Sequence, residues 1–184
     1  MFVNDFSFSL SISLLWNSSA FKSALKIAAT YNGAFAVQRE AEAVSIYING
    51  REIPSIFNDQ VVDFDFEKDS DSNKGVIVVL LATQEIAFYP YSKEKGIHQP
   101  SGKYSIKNDA EATSLAIQES KICISFSNGS VILFTIGRQN SIRAQTGLKE
   151  IHDVSFIEAG AVIGIGENNQ LFCMNLCFFY IFCR

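Results

Sequence analysis

Short apolar runs recur along this chain at a spacing of 40 to 45 residues, and that spacing limits the folds open to it. Ser45-Ile46-Tyr47-Ile48 aligns with Ile86-Ala87-Phe88-Tyr89, Val131-Ile132-Leu133-Phe134 and Leu171-Phe172-Cys173-Met174. With Ile46, Ala87, Ile132 and Phe172 taken as equivalent, the steps are 41, 45 and 40 residues. A second run precedes each of these: Gly33–Gln38, Gly75–Leu81, Lys121–Phe126 and Gly160–Ile165. Ahead of those lie Val61–Phe66, Ala112–Ile117 and Val154–Ile157, each suited to an innermost strand. Each run is strand-sized, and no single repeat can bury its own apolar face. A period of this length with several short strands per repeat therefore predicts stacked antiparallel sheets, the blades of a β-propeller.

The expected fold class is all-β, with about four propeller-like blades in one domain over residues 1–184. The blades fall near 21–57, 58–107, 108–148 and 149–184. Val76-Ile77-Val78-Val79-Leu80-Leu81 is a continuous β-branched run, the pattern of a strand buried on both faces. It is far shorter than the ~20 apolar residues of a membrane-spanning helix. Asn128-Gly129 between two β-runs predicts a type I′ hairpin turn, and Glu167-Asn168-Asn169-Gln170 a weaker version of it. Some helical propensity is confined to Lys22–Thr30 and Ala41–Val44. Glu67–Lys74 reads as a surface loop, and Lys93–Lys107 as a connection between blades. Four blades are the lower bound of the usual range, so an open, unclosed assembly with exposed strand edges is expected, prone to associating with itself.

The termini differ from this pattern. Phe6, Phe8, Leu10, Ile12 and Leu14 alternate with serines, the period of a strand. A secretory signal ending near Ala20 is the competing reading, but Met1–Asp5 lacks the Lys or Arg of such signals. Asn175–Arg184 contains an uninterrupted apolar run, either a buried strand or an exposed edge.

No catalytic signature emerges. The four cysteines, Cys123, Cys173, Cys177 and Cys183, form no Cys-x-x-Cys pair, and the two histidines, His98 and His152, are far apart. This spacing suits neither a zinc site nor a disulfide framework, and it implies a reducing compartment. Cys123 reads as a small buried apolar residue. Gly160–Gly166 lacks the Gly-x-Gly-x-x-Gly order and leads into a strand, so its glycines are read as packing residues. Asp63, Asp65, Glu67, Asp69 and Asp71 alternate, but Lys68 and Lys74 stand where a calcium loop needs Gly and Glu, leaving a solvated strand end. His152-Asp153 has no serine in a nucleophile elbow to serve. Asn17-Ser18-Ser19 and Asn128-Gly129-Ser130 match the glycosylation acceptor, the second inside a tight turn. The reading assigns no catalytic, cofactor or metal residues and no enzyme activity. A net charge of −4, with only three basic residues in the densest group from Arg138 to Lys149, argues against a direct nucleic-acid surface.

Ile151-His152-Asp153-Val154-Ser155-Phe156, with Ala161–Ile165 and Asn169-Gln170-Leu171-Phe172, resembles a degenerate WD40-type blade without the Gly-His and Trp-Asp dipeptides. The resemblance implies that His152 supports a hydrogen-bond network early in the blade. Ala112–Ile136 is similar to a blade in the N-terminal propeller of class C vacuolar protein sorting (HOPS/CORVET) subunits, on Phe126, Asn128, Gly129, Val131 and Leu133. That similarity covers about 25 of 184 residues, and Ile136-Gly137-Arg138 stands where Gly-Asp often follows. It implies a non-catalytic interaction scaffold in a multisubunit vesicle-tethering complex. Such a subunit is cytoplasmic and reaches endosome or vacuole membranes peripherally, through protein partners. Two other readings remain open. One is the non-catalytic propeller partner of a tRNA-modifying enzyme, marked by a basic belt; the other is a small secreted β-domain with paired cysteines.

Overall fold

The computed structural model describes residues 26–29, 34–40, 43–48, 51–53, 60–67, 74–92, 94–138, 141–157 and 161–175. These form four antiparallel sheets, consecutive along the chain. The first contains β1 (Lys26–Ala29), β2 (Ala34–Glu40), β3 (Ala43–Ile48) and β4 (Arg51–Ile53). The second contains β5 (Val61–Glu67), β6 (Lys74–Leu81) and β7 (Glu85–Ser92), with β8 (Gly96–Ile97) and β9 (Gly102–Ser105) sharing the outer edge of β7. The third is β10 (Ala112–Gln118), β11 (Lys121–Phe126), β12 (Ser130–Thr135) and β13 (Ser141–Gln145). The fourth is β14 (Ile151–Ile157), β15 (Ala161–Gly166) and β16 (Leu171–Asn175).

Three sequence expectations are corrected here. Lys26–Ala29 and Ala43–Ile48 are strands, although Lys22–Thr30 and Ala41–Val44 carry helical propensity. Pairing with β2 decides both, as tertiary partners routinely override a weak local preference. The stretch Lys93–Lys107 contains β8 and β9, both paired to β7, and so completes the second sheet. The alternating segment Phe6–Leu14, Ala20, Asn17-Ser18-Ser19, Cys177, Cys183 and most of the apolar tail lie outside the described residues.

Of the two hairpin turns expected as type I′, Glu167-Asn168-Asn169-Gln170 is one and Asn128-Gly129 is not. Asn128-Gly129 belongs to a three-residue loop in which Gly129 N–H donates to Phe126 O at 3.0 Å and Gly129 alone has positive φ, +75°. This is a type I turn closed by a left-handed glycine, not type I′. The type I′ signature of two successive positive φ values occurs at Asn168 (59°) and Asn169 (58°), and again at Glu119 (49°) and Ser120 (60°). Gln84 occupies the position of Gly129 in the second sheet, with φ 59°. Its Oε1 is shielded from solvent and has no hydrogen-bond partner among the described residues. Replacing Gln84 by Gly is therefore expected to raise stability by about 1–2 kcal/mol, read as a higher urea midpoint, because it relieves left-handed strain and removes the orphaned acceptor.

The core lies between the sheets, as layers. The two faces of β6 feed different layers, because successive side chains in a strand point opposite ways. Ile77, Val79 and Leu81 join Phe64, Phe66 and Tyr89 on one side. Val78 and Leu80 face the third sheet with Ile86 and Phe88, against Leu115, Ile122 and Ile124. The expected two-sided burial of this run is thus present. The next layer sets Ala116, Cys123, Val131 and Leu133 against Val154, Val162, Phe172 and Met174. Fully burying one such aliphatic or aromatic side chain contributes about 1.5–3 kcal/mol. Gly164 has a packing role here, since a Cβ at that position would collide with the ring of Phe172.

Candidate interaction surface

The inner strands β5, β10 and β14 lie side by side and carry the polar chemistry of the fold. Each has a register shift at its start, followed by a short polar residue at the third position: Asp63, Ser114 and Asp153. Asp63 and Ser114 are 2% and 1% exposed. The Asp63 carboxylate takes Phe64 N–H on Oδ1 at 2.7 Å. Its Oδ2 reaches the next sheet, accepting Leu115 N–H at 2.7 Å and the Ser114 hydroxyl at 2.9 Å. Ser114 repeats the pattern one sheet on, where its Oγ accepts Val154 N–H at 3.2 Å. The same Oγ is 2.9 Å from Asp153 Oδ1; having one hydrogen, it donates to one carboxylate at a time. Further along β5, Asp65 accepts Ile117 N–H at 3.0 Å and Glu67 accepts the Ser120 hydroxyl at 2.8 Å.

The acidic alternation of β5 is therefore no solvated strand end, at least from Asp63 to Glu67. Those three side chains point across to the third sheet, Asp63 and Asp65 to N–H groups of β10 and Glu67 to the turn that follows it; Asp69 and Asp71 lie outside the described residues. The network also leaves out His152. That side chain is exposed, with Glu150 Oε1 at 3.8 Å from Nδ1, while its neighbour Asp153 and Ser114 make the sheet-to-sheet bonds. Among the described residues no three His, Cys, Asp or Glu side chains are grouped to hold a metal ion, and no helix is long and apolar enough to cross a membrane.

Cys123 is fully buried in the layer between the third and fourth sheets, and burial pushes its thiol up from 9.0 to about 12. Cys173 is half-buried and, like Cys123, a free thiol. The folded state disfavours the Cys123 thiolate, so its contribution to stability is complete below pH 9. Stability should then fall between pH 9 and about 12, by at most ~1.4 kcal/mol per pH unit from this group. In the native protein at pH 8, a small alkylating reagent should label Cys173 and spare Cys123, read by peptide mass.

A groove of about 460 Å³ opens between the second and third sheets, away from the inner strands. Ile86, Ile124, Ile132 and Phe134 supply an apolar floor, with Tyr104, 48% exposed, at the edge. Phe88 fixes Tyr104 edge-to-face at a centroid distance of 5.6 Å. Lys107, Arg138 and Arg143, all exposed, stand around this floor, and Arg143 donates to the Lys107 carbonyl across the mouth. In a chain of net charge −4, this is a local concentration of positive charge. Sequence reasoning saw Arg138 and Arg143 only as members of a sparse group. Lys107 comes from the connection between the second and third sheets, 36 positions from Arg143, and no sequence spacing announces that meeting.

No protein-family model matches the chain, and no curated protein matches it. Among solved structures, the crystal structure of the RRP9 WD40 repeats superposes with a TM-score of 0.61 at 9% sequence identity. The superposition covers 82% of this chain and 47% of that one, so the chain spans about half the length of the structure it matches. At this identity the likeness concerns the fold alone. The chain has the fold of a WD40-like β-propeller sector.

Proposed function

We propose that the chain is a non-catalytic protein–protein interaction scaffold whose partner seats in the groove between the second and third sheets. The observation that carries this reading is the groove itself, with an apolar floor of isoleucines and Phe134 ringed by Lys107, Arg138 and Arg143. An apolar pocket gives a partner side chain somewhere to be desolvated, and the basic rim selects for acidic flanking residues. The matching partner is a polypeptide segment with an aliphatic or aromatic anchor beside Asp or Glu. The finer reading is a cytoplasmic subunit of a vesicle-tethering, vacuolar-sorting complex, held on endosome or vacuole membranes through its partners. Its support is the likeness of Ala112–Ile136 to blades of those subunits.

The test is affinity capture from native cell extract with the N-terminally tagged chain and its Arg143→Glu variant in parallel. Sorting-complex subunits and membrane-fusion proteins should be recovered by the wild type and lost by the variant. Equal recovery by both would remove the groove from the reading. A methyltransferase recovered with tRNA would replace the tethering role with the RNA-modification role.

A further inference from the structure

The β6–β7 and β11–β12 turns share one set of backbone bonds. Gly129 N–H donates to Phe126 O at 3.0 Å, and Gly129 O accepts Thr146 N–H at 3.1 Å. Gln84 N–H donates to Leu81 O at 2.9 Å, and Gln84 O accepts Ile106 N–H at 2.8 Å. Two residues on from Thr146 and Ile106 stand Leu148 and Asn108, which are therefore counterparts. At the β11–β12 turn the connection lies hard against the chain, since a Cβ on Gly129 would run into the Leu148 carbonyl. At the β6–β7 turn a cavity of about 460 Å³ opens instead, lined by Gln84, Lys107, Asn108, Asp109 and Arg143.

Three features of this cavity point the same way. It shares Ile106, Lys107 and Arg143 with the apolar groove, so the two spaces adjoin. Lys107 and Arg143 set two positive charges against the single acid Asp109, and among the described residues neither cation is ion-paired. Gln84 combines a left-handed backbone, φ 59°, with a side-chain Oε1 that is shielded and has no hydrogen-bond partner among the described residues. A glycine, as at position 129, would carry neither cost. Strain and an unpartnered amide in one residue, on the wall of a charged cavity, mark a residue whose use is to bind.

We propose that this cavity is an oxyanion subsite that seats the Asp or Glu carboxylate of the partner segment, beside the apolar anchor held by the groove; the inference rests on the scaffold reading above. Gln84 Nε2 donates to the carboxylate, and Lys107 and Arg143 supply charge-assisted bonds to it. The excess of one positive charge matches one carboxylate. A phosphate, with nearly two negative charges, would be left partly uncompensated beside Asp109.

Panning a random peptide library against the 184-residue chain and its Gln84→Gly variant tests this, followed by titration of the strongest wild-type peptide. The wild type should enrich peptides that carry Asp or Glu near an aliphatic or aromatic residue. Gln84→Gly should keep the apolar preference and lose the acidic one. It should bind the selected peptide about tenfold more weakly, the loss of one hydrogen bond to a charged group. Because this variant is expected to have the higher urea midpoint, weaker binding by it does not come from damage to the fold. Gln84→Glu, close in shape but negatively charged, should reject acidic peptides altogether. Apolar-anchored peptides without acidic preference, or equal acidic selection by wild type and Gln84→Gly, would overturn the subsite and leave the groove standing. No enrichment of apolar-anchored peptides would remove the groove and the subsite together.

Discussion

Gly129→Ala should destabilise the protein by about 3 kcal/mol or more, a large share of the 5–15 kcal/mol typical of a folded domain. Two effects combine at this residue. Its φ of +75° costs an L-residue about 1–2 kcal/mol, and a Cβ there would run into the Leu148 backbone carbonyl. That carbonyl has little freedom to retreat. Thr146 N–H and Oγ1 both donate to Gly129 O, at 3.1 and 2.8 Å, and Gln145 Nε2 donates to Asn128 O at 2.7 Å. The turn is thereby tied to the segment that carries the chain from the third sheet into the fourth. Urea unfolding should show the loss as a lowered midpoint. Asn128→Ala, which removes only the exposed bonds from Ser130 N–H and Oγ, should cost about 1 kcal/mol. Similar values for the two variants would mean that the clash is absorbed without disturbing the connection.

The second large effect is expected at Asp63. Truncation to alanine removes the acceptor for Leu115 N–H, the Ser114 hydroxyl and Phe64 N–H, all in a buried setting. Each buried donor left without a partner costs about 1–3 kcal/mol, and bonds to a charged acceptor are the stronger kind. A loss of about 3–5 kcal/mol follows. Asp63→Asn keeps one carbonyl oxygen and should recover roughly half of that. Asp65→Ala, which removes the half-buried bonds from Ile117 N–H and Phe66 N–H, should cost about 1–2 kcal/mol. Denaturant titration of the three variants separates them; equal costs at Asp63 and Asp65 would show that the buried bridge carries no special weight.

Much of the architecture was legible because strands leave a short-range trace. The two-sided burial of Val76–Leu81 follows from its unbroken apolar composition, and the spacing of Ile46, Ala87, Ile132 and Phe172 follows from one sheet being stacked per repeat. Turn types were less legible, because Asn-Gly serves two loop lengths and the strand ends decide between them. At Phe126–Ser130 the strands end one residue apart from a two-residue turn, which selects the longer loop. The bridging role of Asp63 left a visible signal, its alternation with Asp65 and Glu67, but alternation alone does not say whether water or a neighbouring strand lies opposite. The groove left none, since Lys107 and Arg143 meet only after two sheets have stacked.

The joint between sheets has one more property. On its accepting side it demands a particular kind of side chain, Asp63 or Ser114, but on its donating side it uses a main-chain N–H. Every amino acid except proline has that group. Leu115 and Val154 occupy equivalent places with different shapes, and for this bond their identity is immaterial. A stack held together in this way lets half of each contact vary in sequence while its geometry stays fixed. Repeats can then drift apart in wording until no dipeptide marks them, and the sheets will still add one to the next.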